Sequence, residues 1–109
     1  MEDDNTPLHI AAFFGHFELL EVLLEEFVEL IDQLNRYGWS PLMQACHQGH
    51  FDCVKLLLEN GADPNITNPL GITALTVATR GGFEKVIELL LNDSTIYIPR
   101  GKNNNIFKG

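Results

Sequence analysis

Apolar residues fall along this chain in a pattern that recurs. Three dense runs, LLEVLL at 19–24, CVKLLL at 53–58 and VIELLL at 86–91, each predict an amphipathic helix. In the middle run Val54, Leu57 and Leu58 point inward, while Lys55 and Glu59 point to solvent. A shorter helical segment precedes each run: Leu42, Ala45 and Cys46 share one face of two turns at i, i+3, i+4 spacing. The stretch GADPNITNPLG at 61–71 is dense in Gly, Asp, Asn and Pro and predicts a turn with short extended arms.

The pattern is a repeat. NTPLHIAAFFGH at 5–16, GWSPLMQACHQGH at 38–50 and ITALTVATRGGF at 72–83 align, with Thr6, Ser40 and Thr73 at steps of 34 and 33 residues. Leu8, Leu42 and Leu75 keep the same steps, as do Ala11, Ala45 and Ala78, and Gly15, Gly49 and Gly82. Each position has a physical reason. The hydroxyls cap helix N-termini, and Pro7 and Pro41 follow where a missing N–H costs nothing. The alanine-sized positions admit a neighbouring helix. The glycines end the first helix, where a left-handed residue is needed. Ser40, Cys46 and their neighbours are therefore read as shape rather than chemistry.

This unit resembles the ankyrin repeat, through TPLHIAA at 6–12 in full, SPLMQAC at 40–46 and TALTVAT at 73–79 in part, and GADPN at 61–65. The resemblance implies an all-α solenoid of helix-turn-helix units joined by short β-hairpin loops. It divides the chain into an acidic tail at 1–4, three repeats at about 5–34, 35–67 and 68–94, and a flexible basic tail at 95–109. The motifs N-x-Y-G-W-S-x-L-M-Q-A at 35–45 and N-x-L-G-x-x-x-L-T-V-A-x-R-G-G at 68–82 are similar to ankyrin-repeat and sterile-alpha-motif proteins of the SamCystin type. That likeness implies a ciliary association, and further ankyrin repeats or a sterile-alpha-motif protein as partners. Asn65, two residues after Asp63 and eight after Leu57, resembles ankyrin asparagines hydroxylated by an iron- and oxoglutarate-dependent enzyme, with Pro64 departing from the usual aliphatic neighbour.

Two segments depart from the pattern. EEFVELIDQLN at 25–35 lacks the glycine that Gly61 supplies in the next repeat, so the helix is expected to run on, with Leu24, Phe27, Val28 and Ile31 continuing its apolar face. The last repeat does not return to a GAD-x-N turn, and Val86, Leu89 and Leu90 lack an obvious cover. Solenoids present polar caps at their ends, which predicts a longer natural array.

Composition narrows the function. The net charge is −8, and Met1 to Asn35 holds nine acids and no Lys or Arg, which argues against nucleic acid as a partner. No apolar run reaches the roughly 20 residues of a membrane span. The start, MEDDN, has no basic signal region, and two cysteines fit a reducing compartment, so a cytoplasmic location is expected. His47 and His50, with Cys46 and Cys53, are metal-ligand types. But Gly49 breaks the helix between the histidines, no CxxC or HExxH spacing is present, and both cysteines occupy packing positions. Catalysis, a metal site and a cofactor are not expected.

What remains is surface. In ankyrin arrays the partner docks on the concave face, which by resemblance includes Asn5, Phe13, Phe14, Arg36, Tyr37, Trp39, His47, Gln48, Pro69, Leu70, Ile72, Arg80 and Gly81. Phe13, Phe14, Tyr37 and Trp39 are expected to meet at the first junction between repeats, with Arg36 and Arg80 flanking to favour carboxylates. The expected function is non-catalytic protein–protein recognition. The alternative is a fragment of a longer ankyrin array whose exposed ends serve stacking or self-association.

Overall fold

The computed structural model describes residues 3–93. It contains six α-helices: α1 (Pro7–Phe14), α2 (Phe17–Phe27), α3 (Pro41–Gln48), α4 (Phe51–Glu59), α5 (Ala74–Gly81) and α6 (Glu84–Leu91). They form three helix pairs, α1 with α2, α3 with α4 and α5 with α6. The first helices of the pairs lie side by side in one layer, and the second helices in another. Among the described residues no helix is long and apolar enough to cross a membrane.

Local chemistry sets each boundary. Thr6, Ser40 and Thr73 accept from the backbone N–H three residues on, at 3.3, 3.2 and 3.2 Å. Gly15 and Gly49 close α1 and α3 with φ of 71° and 72°. The same glycines let the following pair come close. A Cβ on Gly15 would lie 2.7 Å from the His50 ring, and one on Gly49 would lie 2.5 Å from the Phe83 ring. Between the layers Leu8, Leu20, Leu42, Met43, Leu57 and Leu90 are fully buried, and each such side chain stabilises by roughly 1.5–3 kcal/mol relative to exposure.

Side-chain hydrogen bonds that end on a main-chain atom help join successive pairs. His9 Nε2 donates to the Trp39 carbonyl at 2.7 Å, and His50 Nε2 donates to the Phe13 carbonyl at 3.1 Å. The Asp32 carboxylate accepts from the Asp63 N–H at 2.9 Å.

Two expectations are refined. After α2 the chain does not continue as α-helix past Phe27: it tightens into a 3₁₀ turn at Val28–Leu30. Ile31 is buried as expected, whereas Val28 faces solvent. The tighter winding rotates Val28 off the apolar face that α-helical spacing would assign it. The inter-repeat loops close as tight turns with a single paired rung, Asn35 N–H to Trp39 carbonyl at 2.9 Å and Asn68 N–H to Ile72 carbonyl at 3.2 Å. Among the described residues they stop short of a β-ladder. The acidic tail is described only from Asp3. The end of the third repeat at 94 and the basic tail at 95–109 lie outside the described residues.

Candidate protein-docking groove

The loop from Asn35 to Trp39 builds one wall of a groove, and a buried asparagine organises it. Asn35 Oδ1 accepts from the N–H groups of Tyr37 and Trp39 at 2.9 and 3.0 Å. Its amide nitrogen donates to Asn5 Oδ1 at 2.8 Å, tying the loop to the entry of α1. Gly38 follows with φ of 81°, and a Cβ there would sit 2.8 Å from Asn68 Cβ, so the two inter-repeat loops stack. Asn68 repeats the device one unit on, accepting from Leu70 and Ile72 at 2.9 and 3.1 Å. The Asp3 backbone holds Arg36 N–H at 2.8 Å, and the Asp3 carboxylate accepts the Tyr37 hydroxyl at 3.1 Å.

α1 and α3 form the floor. Phe13, Asn35, Tyr37, Trp39, Gln44 and His47 line a hollow of about 160 Å³. A second hollow of about 250 Å³ adjoins it, lined by Asn5, His9, Ile10, Phe13, Phe14 and Gln44. Phe13 and Gln44 belong to both. The rings are ordered against one another. Phe13 meets Phe14 edge to face with centroids 5.0 Å apart, and Trp39 meets His47 at 5.3 Å in the same geometry. Trp39 is half-buried and packs against the core, whereas Phe14 and Tyr37 remain 59% and 63% exposed.

His9 sits beneath this floor and holds α1 to the loop. Its Nδ1 accepts from the Thr6 N–H at 3.0 Å, which places the ring proton on Nε2, where it meets the Trp39 carbonyl. Burial lowers the His9 pKa below its ordinary 6.5, opposed by the hydrogen bonds to backbone carbonyls of Trp39 and Gln33. The thiols are inert by the same physics: desolvation pushes Cys46 up to about 12, and desolvation with the nearby Asp52 and Glu18 charges pushes Cys53 up to about 11.

Of the residues expected at the docking face, the structure brings Phe13, Tyr37, Trp39 and His47 to one hollow and Phe14 to the adjoining one. Arg36, Gln48, Leu70, Ile72 and Arg80 do not line either. Gln48 bonds His47 Nδ1 at 2.9 Å, Leu70 stands 82% exposed at the tip of the second loop, and Ile72 packs partly against the core. Arg36 and Arg80 are exposed and belong to different repeats. Asn65 is half-buried, with its N–H bonded to the Asp63 carboxylate at 2.9 Å. Sequence reasoning missed Ile10, Asn35 and Gln44. The signal for Asn35 was the recurrence of N-x-x-G at 35 and 68. That for Gln44 and Ile10 was their place three residues before His47 and Phe13.

Comparison with known proteins agrees with this architecture. A family model described as ankyrin repeats, three copies, matches residues 1–68, more than half of the chain. An ankyrin repeat and KH domain-containing protein of Caenorhabditis briggsae is 39% identical over 100 residues, covering 90% of this chain and 4% of that protein. A probable E3 ubiquitin-protein ligase of Oryza sativa is 40% identical over 100 residues, covering 91% of this chain and 19% of the ligase. The mouse ankyrin repeat and SAM domain-containing protein 6 is 43% identical over 91 residues, 84% of this chain and 9% of that protein. The chain thus spans less than a fifth of each of these relatives. Its capped helix pairs, its glycine-closed first helices and these likenesses lead to one conclusion: the chain belongs to the ankyrin repeat family.

Proposed function

We propose that this chain is a non-catalytic docking module that takes a partner protein segment in the aromatic groove on its concave face. Ankyrin repeats are protein-interaction modules, which supplies the general class. The observation that carries the finer reading is the pair of hollows sharing Phe13, with Phe14 and Tyr37 left largely exposed at their rims. Exposed aromatic rings flanked by a side-chain amide, here Gln44, suit an extended segment with apolar side chains. The rings supply area and the amide supplies orientation. The E3 ligase relatives carry catalysis in their names, and no catalytic step is assigned here.

A displayed library of random peptides, selected on the folded chain, tests the reading. Selected peptides should lose about 2 kcal/mol of affinity, roughly thirtyfold, with Tyr37→Ala. Lys55→Ala, on the exposed side of α4, should bind as the wild type does. Equal loss from both variants would place the site on the opposite layer.

Three further parts belong to the same proposal. The partner range includes further ankyrin repeats and sterile-alpha-motif proteins, supported by the likeness to the mouse relative. A cytoplasmic location is supported by two buried free thiols. Hydroxylation of Asn65 is supported by its position two residues after Asp63 in the loop. Mass spectrometry after incubation with an asparaginyl hydroxylase, its iron and oxoglutarate should show one added oxygen at Asn65. An unchanged mass would remove that part.

A further inference from the structure

The chain has nine asparagines, and only Asn60 is followed by glycine. The equivalent positions hold Glu26 and Phe27 in the first repeat and Asp93 and Ser94 in the third, so the pairing is confined to the middle repeat. Asparagine followed by glycine has a chemistry of its own. The glycine main-chain nitrogen, once deprotonated, attacks the asparagine side-chain carbonyl carbon. Ammonia leaves as a five-membered succinimide closes. Water then opens the ring at either carbonyl, giving aspartate or isoaspartate. Glycine is the neighbour that permits this, because it has no Cβ to crowd the attack and its backbone turns freely. Water is the one co-reactant, and no oxidant or cofactor is consumed.

The fold holds these two residues in a turn that is accessible yet closed. Asn60 and Gly61 are exposed, and apart from chain neighbours no described atom lies within 4 Å of a Cβ placed on Gly61. Gly61 has φ of 95°, which ends α4 in the left-handed region. Both nitrogens that the reaction involves are engaged. The Asn60 amide nitrogen donates to the Leu56 carbonyl at 2.8 Å, and the Gly61 N–H donates to the Leu58 carbonyl at 3.1 Å. The Ala62 N–H, donating to the Leu57 carbonyl at 3.0 Å, fastens the turn behind them. Asn60 has ψ of 12°, which turns the Gly61 nitrogen away from Asn60 Cβ. Ring closure requires that nitrogen to swing round beside Cβ, and this breaks the Gly61 and Ala62 bonds.

We propose that Asn60, through its neighbour Gly61, is a spontaneous deamidation site held in check by the closed turn after α4, and that its conversion loosens the junction between the first and second repeats. Attack proceeds from the open turn alone. The folded chain therefore reacts at the rate of the unfolded chain scaled by the fraction of time the turn is open. Both products damage the turn. An aspartate there has no N–H to give the Leu56 carbonyl, and its charge stands at the negative end of the α4 dipole. Isoaspartate inserts one methylene into the main chain ahead of Gly61. That shift reaches Ala62, which is buried, and Asp63, whose N–H meets the Asp32 carboxylate of the preceding repeat at 2.9 Å. Neither Asn60 nor Gly61 lines the aromatic hollows, so this reading and the docking reading stand or fall separately.

Ageing the full chain at neutral pH, folded in buffer and unfolded in guanidinium chloride, tests this. The tryptic segment 56–80 contains Asn60 together with Asn65 and Asn68, which precede isoleucine and proline and serve as internal references. In the unfolded chain, mass spectrometry with fragmentation should show NH2 exchanged for OH at Asn60 ahead of both references, with isoaspartate among the products. In the folded chain the same conversion should be slower by about tenfold or more. Chain aged unfolded and returned to buffer should then unfold at a lower urea concentration than fresh chain. Asn60→Gln, whose longer side chain closes the ring far less readily, should keep its urea midpoint through the same ageing. Equal rates at Asn60 folded and unfolded, or no lead of Asn60 over the references when unfolded, would overturn the proposal. So would an aged wild type with an unchanged midpoint, or a midpoint that falls as far in Asn60→Gln.

Discussion

At Asn35 one buried side chain does for the loop what several rungs of a β-ladder would do. It joins two loop N–H groups to the entry of α1 through three hydrogen bonds of 2.8–3.0 Å. Removing a buried acceptor leaves those donors unsatisfied, and that loss exceeds the net worth of the bonds themselves. Asn35→Ala is therefore expected to destabilise by about 1–3 kcal/mol in urea melts and to weaken peptide binding in the groove. A melt that does not shift would show that water replaces the amide. His9 gives a pH dependence at the same scale. Its folded pKa is depressed, so between the folded value and 6.5 the unfolded chain binds more protons than the folded one. Its contribution is fully present above about 6.5 and is lost as pH falls through the lower folded value. From about pH 7 to about pH 5 the urea midpoint should fall more steeply for the wild type than for His9→Gln. Parallel curves would mean that other groups set the slope.

At the scale of the helix, caps and glycines carry the definition. Ser40 is 2% exposed and accepts the Met43 N–H, so Ser40→Ala should cost about 1 kcal/mol in stability, within a range of roughly 0.5–2. A change below that range would show that Pro41 alone starts α3. These boundaries were legible in the sequence because they are local: a hydroxyl, a proline and a glycine act within four residues of where they stand. The 3₁₀ turn after α2 was not legible, since α-helical and tighter winding place Phe27 and Ile31 almost alike and only Val28 tells them apart. The groove was legible in part. Trp39 and Tyr37 could be placed by counting from Ser40. The bond from His9 to the Trp39 carbonyl spans 30 residues and has no sequence trace beyond the histidine itself. Arg36 and Arg80 were expected to flank the groove because both are cationic and lie near it in the count. They belong to different repeats, and neither is among the residues that line the two hollows.

Across the whole molecule, stability resides in the junctions between pairs rather than in any one pair. Leu57 is fully buried in the middle pair, so Leu57→Ala should cost about 2–5 kcal/mol and bring down the entire array in one transition. Circular dichroism in urea that showed two steps would indicate pairs folding independently. The bonds between pairs have a further consequence for how such a surface changes over generations. His9 and His50 grip the carbonyls of Trp39 and Phe13, not their rings, and every amino acid has a carbonyl. Selection is thus free to exchange the ring at position 13 for another side chain, and so choose a new ligand, while the fastening between neighbouring units stays in place.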